Sequence, residues 1–101
     1  MVSENVVELI KNELEACGDL KEDIESSLVD PESGVYEDMN GRVVSLWLVI
    51  KKNEYAVVYD ERKKSFGVAF RNIFGQMIYI GAEGSLPDAY QGMVNRERKG
   101  D

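Results

Sequence analysis

The side chains best placed for acid–base chemistry are adjacent carboxylates: Glu37 with Asp38, and Glu22, Asp23 and Glu25 within a span of four residues. Such a pair catalyses when a cleft raises the pKa of one member, so that one carboxyl delivers a proton while the other accepts one. Here both groups fall in expected turns or on helix faces open to water, with no cleft to distinguish one carboxyl from its neighbour, and they are read as non-catalytic. Composition excludes other chemistry. The chain has no histidine and one cysteine, Cys17, so neither a histidine-activated nucleophile nor a Cys/His zinc site can be assembled. Cys17 itself reads as a small buried helix residue. The run Asp30 to Asp38 has the acids of a calcium loop without their alternation, the glycine at the sixth place or the glutamate at the twelfth. Gly75, Gly81, Gly84 and Gly92 match no phosphate-cradling spacing. No catalytic residue, metal site or cofactor is expected, and the chain is read as a non-enzyme.

What the carboxylates do carry is charge. Residues 1 to 41 hold twelve acids against Lys11 and Lys21, a net charge of −10, while residues 42 to 101 hold ten bases and seven acids, a net of +3. A field of that sign repels phosphate backbones and anionic membranes and speeds encounter with a cationic protein. The bases do not offset it. Lys51 and Lys52 fall in one expected turn and Arg62, Lys63 and Lys64 in the next, at opposite ends of a meander. Nucleic acid and membrane are therefore not expected partners. The stretch MVSENVVELIKNELEA is acidic and lacks the basic opening of a secretion signal, and no apolar run approaches the roughly 20 residues of a membrane helix, so a cytoplasmic location is expected.

The elements that must position these charges follow from periodicity. At 101 residues, 44% hydrophobic and 31% charged, the chain suits one globular domain spanning 1–101. Val6, Ile10 and Leu14 recur every four residues, Val7 and Cys17 flank them, and Ser3 offers a cap, which predicts a helix over 3–16 ended by Gly18. Asp19-x-x-Glu22 has the form of a capping box, and Leu20, Ile24 and Leu28 continue as a helix over 20–28. The helical acidic segment closes near residue 30 at Asp30-Pro31-Glu32-Ser33-Gly34, read as a turn. From Val35 the period becomes two. Asn40-Gly41 is a two-residue hairpin signal between a weak strand at 35–39 and a long one at 42–51. Strands at 54–60, 65–71 and 76–81 complete a meander over 35–81. Ser85-Leu86-Pro87-Asp88 starts a short helix over 85–96, with Ala89, Met93 and Val94 as its stripe and a polar tail over 97–101. The fold class is α+β: two N-terminal helices, an antiparallel meander of four to five strands and a short C-terminal helix.

A definite register follows from the loop lengths. Loops at 52–53, 62–63 and 72–75 pair Ile50 with Tyr55, Leu48 with Val57, Leu46 with Tyr59, Tyr59 with Phe66, Val57 with Val68, Tyr55 with Phe70, Phe70 with Met77 and Val68 with Tyr79. Both faces come out apolar, so each needs a cover. The N-terminal helices are expected on the Leu46–Val57–Phe66 face. The C-terminal helix is expected on the other, packed into a shallow groove at Ala56, Gly67 and Ala69. In that arrangement Trp47 is an ordinary core aromatic; the alternative is that Trp47, Val49, Ile78 and Ile80 form a dimer or partner interface.

Function is read from charge and size. The expectation is a non-catalytic protein-binding module that docks on a basic protein through Glu22, Asp23, Glu25, Asp30, Glu32, Glu37 and Asp38. Among small acidic proteins, inhibitors that neutralise a basic nuclease-like toxin, immunity proteins, fit best. The alternative is a homodimeric assembly subunit or small acidic chaperone acting through the second sheet face.

Overall fold

A computed structural model describes residues 3–99, and the side chains of 6–98. The chain is α+β. Helix α1 (Ser3–Glu15), a 3₁₀ turn (Gly18–Leu20) and α2 (Lys21–Ser27) lead into strands β1 (Leu28–Asp38), β2 (Val43–Lys52), β3 (Tyr55–Asp60), β4 (Ser65–Arg71) and β5 (Met77–Gly84), and α3 (Leu86–Lys99) follows. Gly18 at φ +60° ends α1 as expected, while the cap at Ser3 lies outside the described side chains. The capping box at Asp19 is not made. Asp19 sits inside the 3₁₀ turn, and Leu20 precedes α2 with helical φ and ψ and no side-chain cap.

The strands form the antiparallel meander expected, and it closes on itself. Each pairs with its sequence neighbour in antiparallel fashion, and a short parallel seam, Glu37 opposite Ile78 and Asp38 opposite Tyr79, closes β1 onto β5 as a barrel. Closure settles the problem of two apolar faces. One face turns inward, where Tyr36, Leu46, Val58, Ala69 and Tyr79 are buried together. The other takes all three helices: Val6, Ile10, Leu14 and Ile24, with Leu86, Ala89, Tyr90 and Met93, pack on Trp47, Ile50, Val57, Tyr59, Phe66 and Val68. The C-terminal helix thus shares a face with the N-terminal pair. It has no second face to cover, because the sheet covers that face with itself.

Bulges decide which residues look inward. The β3–β4 register is the one expected, with Tyr59 opposite Phe66, Val57 opposite Val68 and Tyr55 opposite Phe70. The β2–β3 turn falls one residue later than expected. Asn53, at φ +56°, and Glu54 form it, so Ile50 opposes Val57. An irregularity between Leu48 and Ile50 then sets Leu48 against Val58 and Trp47 against Tyr59. That one extra residue flips the upstream half of β2, sending Leu46 and Leu48 inside and Trp47 under the helices. At β4–β5, Phe70 opposes Ile78 and Ala69 opposes Tyr79, one residue from the expected pairing, because the loop closes as Asn72–Gln76 around Gly75 at φ +82°. The β1–β2 turn has the same form. Asp38 bonds Arg42 across Met39-Asn40-Gly41, and its Oδ1 accepts the Asn40 and Arg42 N–H groups at 2.9 Å. The Asn-Gly pair therefore serves a three-residue loop.

Two further expectations are corrected. Asp30 to Gly34 is strand rather than turn, because pairing with β2 outweighs local turn preference. Pro31, which has no N–H to donate, falls where the ladder is irregular, between Leu28 and Glu32. Helix α3 continues through the expected tail to Lys99. Glu97 accepts from Asn53 and pairs with Lys52, and Arg96 pairs with Glu83 at 3.2 Å, tying the last turns to the sheet.

Gly67 marks the tightest point of the closed wall. A Cβ there would press on the Gly81 carbonyl oxygen and lie 2.9 Å from the Tyr79 hydroxyl. The shallow surface expected at Gly67 and Ala69 is filled by the barrel's own tyrosine. Gly67→Ala is expected to lower stability by roughly 1–3 kcal/mol, the usual cost of overpacking, read as a shift of the denaturant midpoint.

The inward tyrosines also make a pH prediction. Burial first, then Asp60 and Glu83, push the Tyr79 phenol above its ordinary value near 10, and burial followed by Glu32 raises Tyr36. In the unfolded chain both phenols ionise near pH 10, whereas in the barrel they hold their protons longer. Their contribution is whole below about pH 10 and is lost as the pH rises through the folded values. The Tyr79 hydroxyl is buried and has no hydrogen-bond partner among the described residues, so Tyr79→Phe should leave neutral-pH stability unchanged or slightly higher. It should also soften the alkaline loss. Denaturant titrations across that range, with tyrosinate absorbance in parallel, check both.

Candidate functional site

The acidic corner is built by α2 and the start of β1. Helix α2 has seven residues, too few to persist alone, and it is fastened by Ile24, fully buried beneath it at a gain of about 2 kcal/mol. With Ile24 pointing inward and about 100° between successive residues, Glu22, Asp23 and Glu25 must point out, and all three are exposed. The hydroxyls of Ser26 and Ser27 donate to the Asp23 carbonyl rather than to its carboxylate. Two residues into β1, Asp30 is exposed where the ladder to β2 is irregular. Ion pairs among the described residues join Lys21 to Glu15, Lys52 to Glu97 and Arg96 to Glu83, and none uses a predicted partner-binding acid.

The seven predicted acids are not one patch. Glu22, Asp23, Glu25 and Asp30 share the corner. Glu32 lies farther along β1, opposite Leu48 and on the side of the strand that carries Tyr36. Glu37 and Asp38 lie at the far end of β1, eight residues beyond Asp30 or about 25 Å of strand. Asp38 is committed to its turn.

An apolar groove of about 320 Å³ adjoins the corner, lined by Val7, Ile10 and Leu14 of α1 and by Leu28, Val29 and Pro31 of β1, with Glu25, Asp30 and Lys11 completing its wall. Val7 is 37% exposed there. The register could not reveal this groove, because it depends on where β1 begins, and the sequence places a turn at that point.

Trp47 is the core aromatic first expected, and the alternative docking face is divided. Trp47 and Val49 are buried under the helices, 8% and 0% exposed, and the Trp47 Nε1–H donates to Glu61 at 3.4 Å. Ile78 and Ile80 are half-buried on β5. Exposed apolar side chains occur instead where no helix reaches. Val35 and Val43 lie on the outer side of the β1–β2 hairpin, Met39 in its turn, and Ile73 and Phe74 in the β4–β5 turn, 93% and 80% exposed. Their sequence signal was the presence of two large apolar residues, Ile73 and Phe74, inside a loop.

Chemically reactive groups are few. The Cys17 thiol is buried and donates to the Glu13 carbonyl at 3.2 Å; burial, then Glu13, raises its pKa, which keeps it protonated and poorly nucleophilic. The Glu13 carboxylate accepts the Leu86 N–H at 3.0 Å, so α1 caps the start of α3. Among the described residues no three His, Cys, Asp or Glu side chains are grouped to hold a metal, and no helix is long and apolar enough to cross a membrane. No protein-family model, curated protein or solved structure matches the chain.

Proposed function

We propose that this protein is a non-catalytic binding module that engages a basic protein through Glu22, Asp23, Glu25 and Asp30, in the manner of an immunity-type inhibitor neutralising a cationic toxin or nuclease. The observation that carries the reading is that these four carboxylates, on α2 and the start of β1, are all exposed and outside every ion pair of the described residues, with Glu25 and Asp30 on the wall of one groove. Unpaired anions on a rigid scaffold steer association and meet cationic groups without first breaking bonds of their own. The probe is a panel of purified basic nuclease-like protein modules. Association should weaken steeply between low and high salt. Glu22→Lys with Asp23→Lys should slow association about tenfold or more and flatten the salt dependence. Calorimetry or surface-plasmon kinetics at two ionic strengths provides the reading, and salt-independent binding would exclude this mode of recognition.

A second reading, a self-associating assembly subunit or small acidic chaperone, draws support from a different surface than the sequence suggested. Trp47 is covered, but Val35 and Val43 line one surface groove and, with Met39, Ile73 and Phe74, are exposed, and exposed apolar surface favours association. Under that reading sedimentation equilibrium shows a salt-tolerant dimer that Val43→Asp dissociates. A monomer at high concentration removes it.

A further inference from the structure

We infer that the groove beside the acidic corner seats a cationic amphipathic segment of the partner protein, one apolar side chain entering between α1 and β1 while flanking lysines or arginines meet Glu25 and Asp30. This deepens the proposed function and rests on its reading of the corner as a protein-binding surface. Three features of the groove select this occupant. Its floor is aliphatic, from Val7, Ile10, Leu14, Leu28 and Val29, and offers an inserted group no hydrogen-bond partner from those side chains. Its volume, about 320 Å³, is at the lower end of ligand-sized sites and suits one or two side chains. Its wall carries two carboxylates against the single ammonium of Lys11, and neither carboxylate is in an ion pair of the described residues. A phosphate-bearing ligand would meet repulsion from Glu25 and Asp30, and a neutral ligand would leave both charges unused. A side chain that buries apolar surface and brings positive charge to both rims satisfies floor and wall together.

The arrangement follows from the fold. Val7 lies one position from the buried Val6–Ile10–Leu14 stripe, so it emerges beside the core rather than in it. Opposite it, Leu28 and Val29 begin β1 next to Pro31 and the ladder irregularity, where the strand leaves the regular sheet.

The test uses the full chain and a labelled amphipathic helical peptide of about 18 residues with one lysine face and one leucine face, with two counterparts: lysines changed to glutamates, and leucines to serines. Fluorescence anisotropy is expected to show binding of the first peptide and not of either counterpart. Glu25→Lys with Asp30→Lys, and separately Val7→Ser, should each weaken binding about tenfold or more, while Glu37→Lys at the far end of β1 leaves it unchanged. Val7→Thr preserves side-chain shape, and its binding loss with unaltered circular dichroism separates recognition from folding. Failure of the peptide to bind overturns the inference, as does equal weakening by Glu37→Lys, which marks diffuse attraction. Loss on reversal of Glu25 and Asp30 without response to Val7→Ser or Val7→Thr overturns the groove alone and leaves the acidic-corner reading standing.

Discussion

A sheet that is apolar on both sides has to hide both sides from water, and the fold of this protein follows from how that is done. Burial of each large aliphatic or aromatic side chain is worth about 1.5–3 kcal/mol, so neither face can be left wet. Two helical layers would have met the requirement. The chain instead rolls its sheet until one face packs against itself, around Tyr36, Leu46, Val58, Ala69 and Tyr79. A single helical layer then suffices. The bulges make the rolling possible, since each adds local bend and twist, and Gly67 permits the wall to close over the Tyr79 ring.

Placing all helices on one side has consequences for what remains exposed. The helix-covered face leaves the outer side of the β1–β2 hairpin bare at Val35 and Val43. It also stacks α1 beside the beginning of β1, which is how an apolar groove comes to lie against an acidic corner. Shape and charge at the candidate surface are thus by-products of closure.

The acids divide by the work they do. Glu13 bridges two helices, Asp38 holds a turn, and Asp60, 2% exposed, accepts the Arg62 and Lys63 N–H groups at 3.1 and 3.4 Å. These carboxylates have found donors within the molecule and have less to offer a partner. Glu22, Asp23, Glu25 and Asp30 have no such engagement of their side chains among the described bonds, and they share one corner. Net charge by sequence position identified the acidic region but could not sort it, because sorting needs to know which backbone N–H groups are unpaired and nearby.

Local rules were enough to determine much of the molecule. Helical period over Val6–Ile10–Leu14, the stop at Gly18, the alternation of the strands and the start at Ser85 specify the element order, and tight-turn chemistry specifies the β3–β4 register. The absence of histidine and the concentration of acids before residue 41 are likewise properties of composition. What only the tertiary structure decided is long-range: closure of β1 on β5, the strand made from Asp30 to Gly34, the side to which α3 packs, and the burial of Trp47. Each depends on a competition that a local window does not contain. A proline-bearing turn gives way to pairing with β2, and one extra residue near Val49 reverses the face of everything upstream, because side chains on a strand alternate with period two and a single insertion exchanges inside for outside.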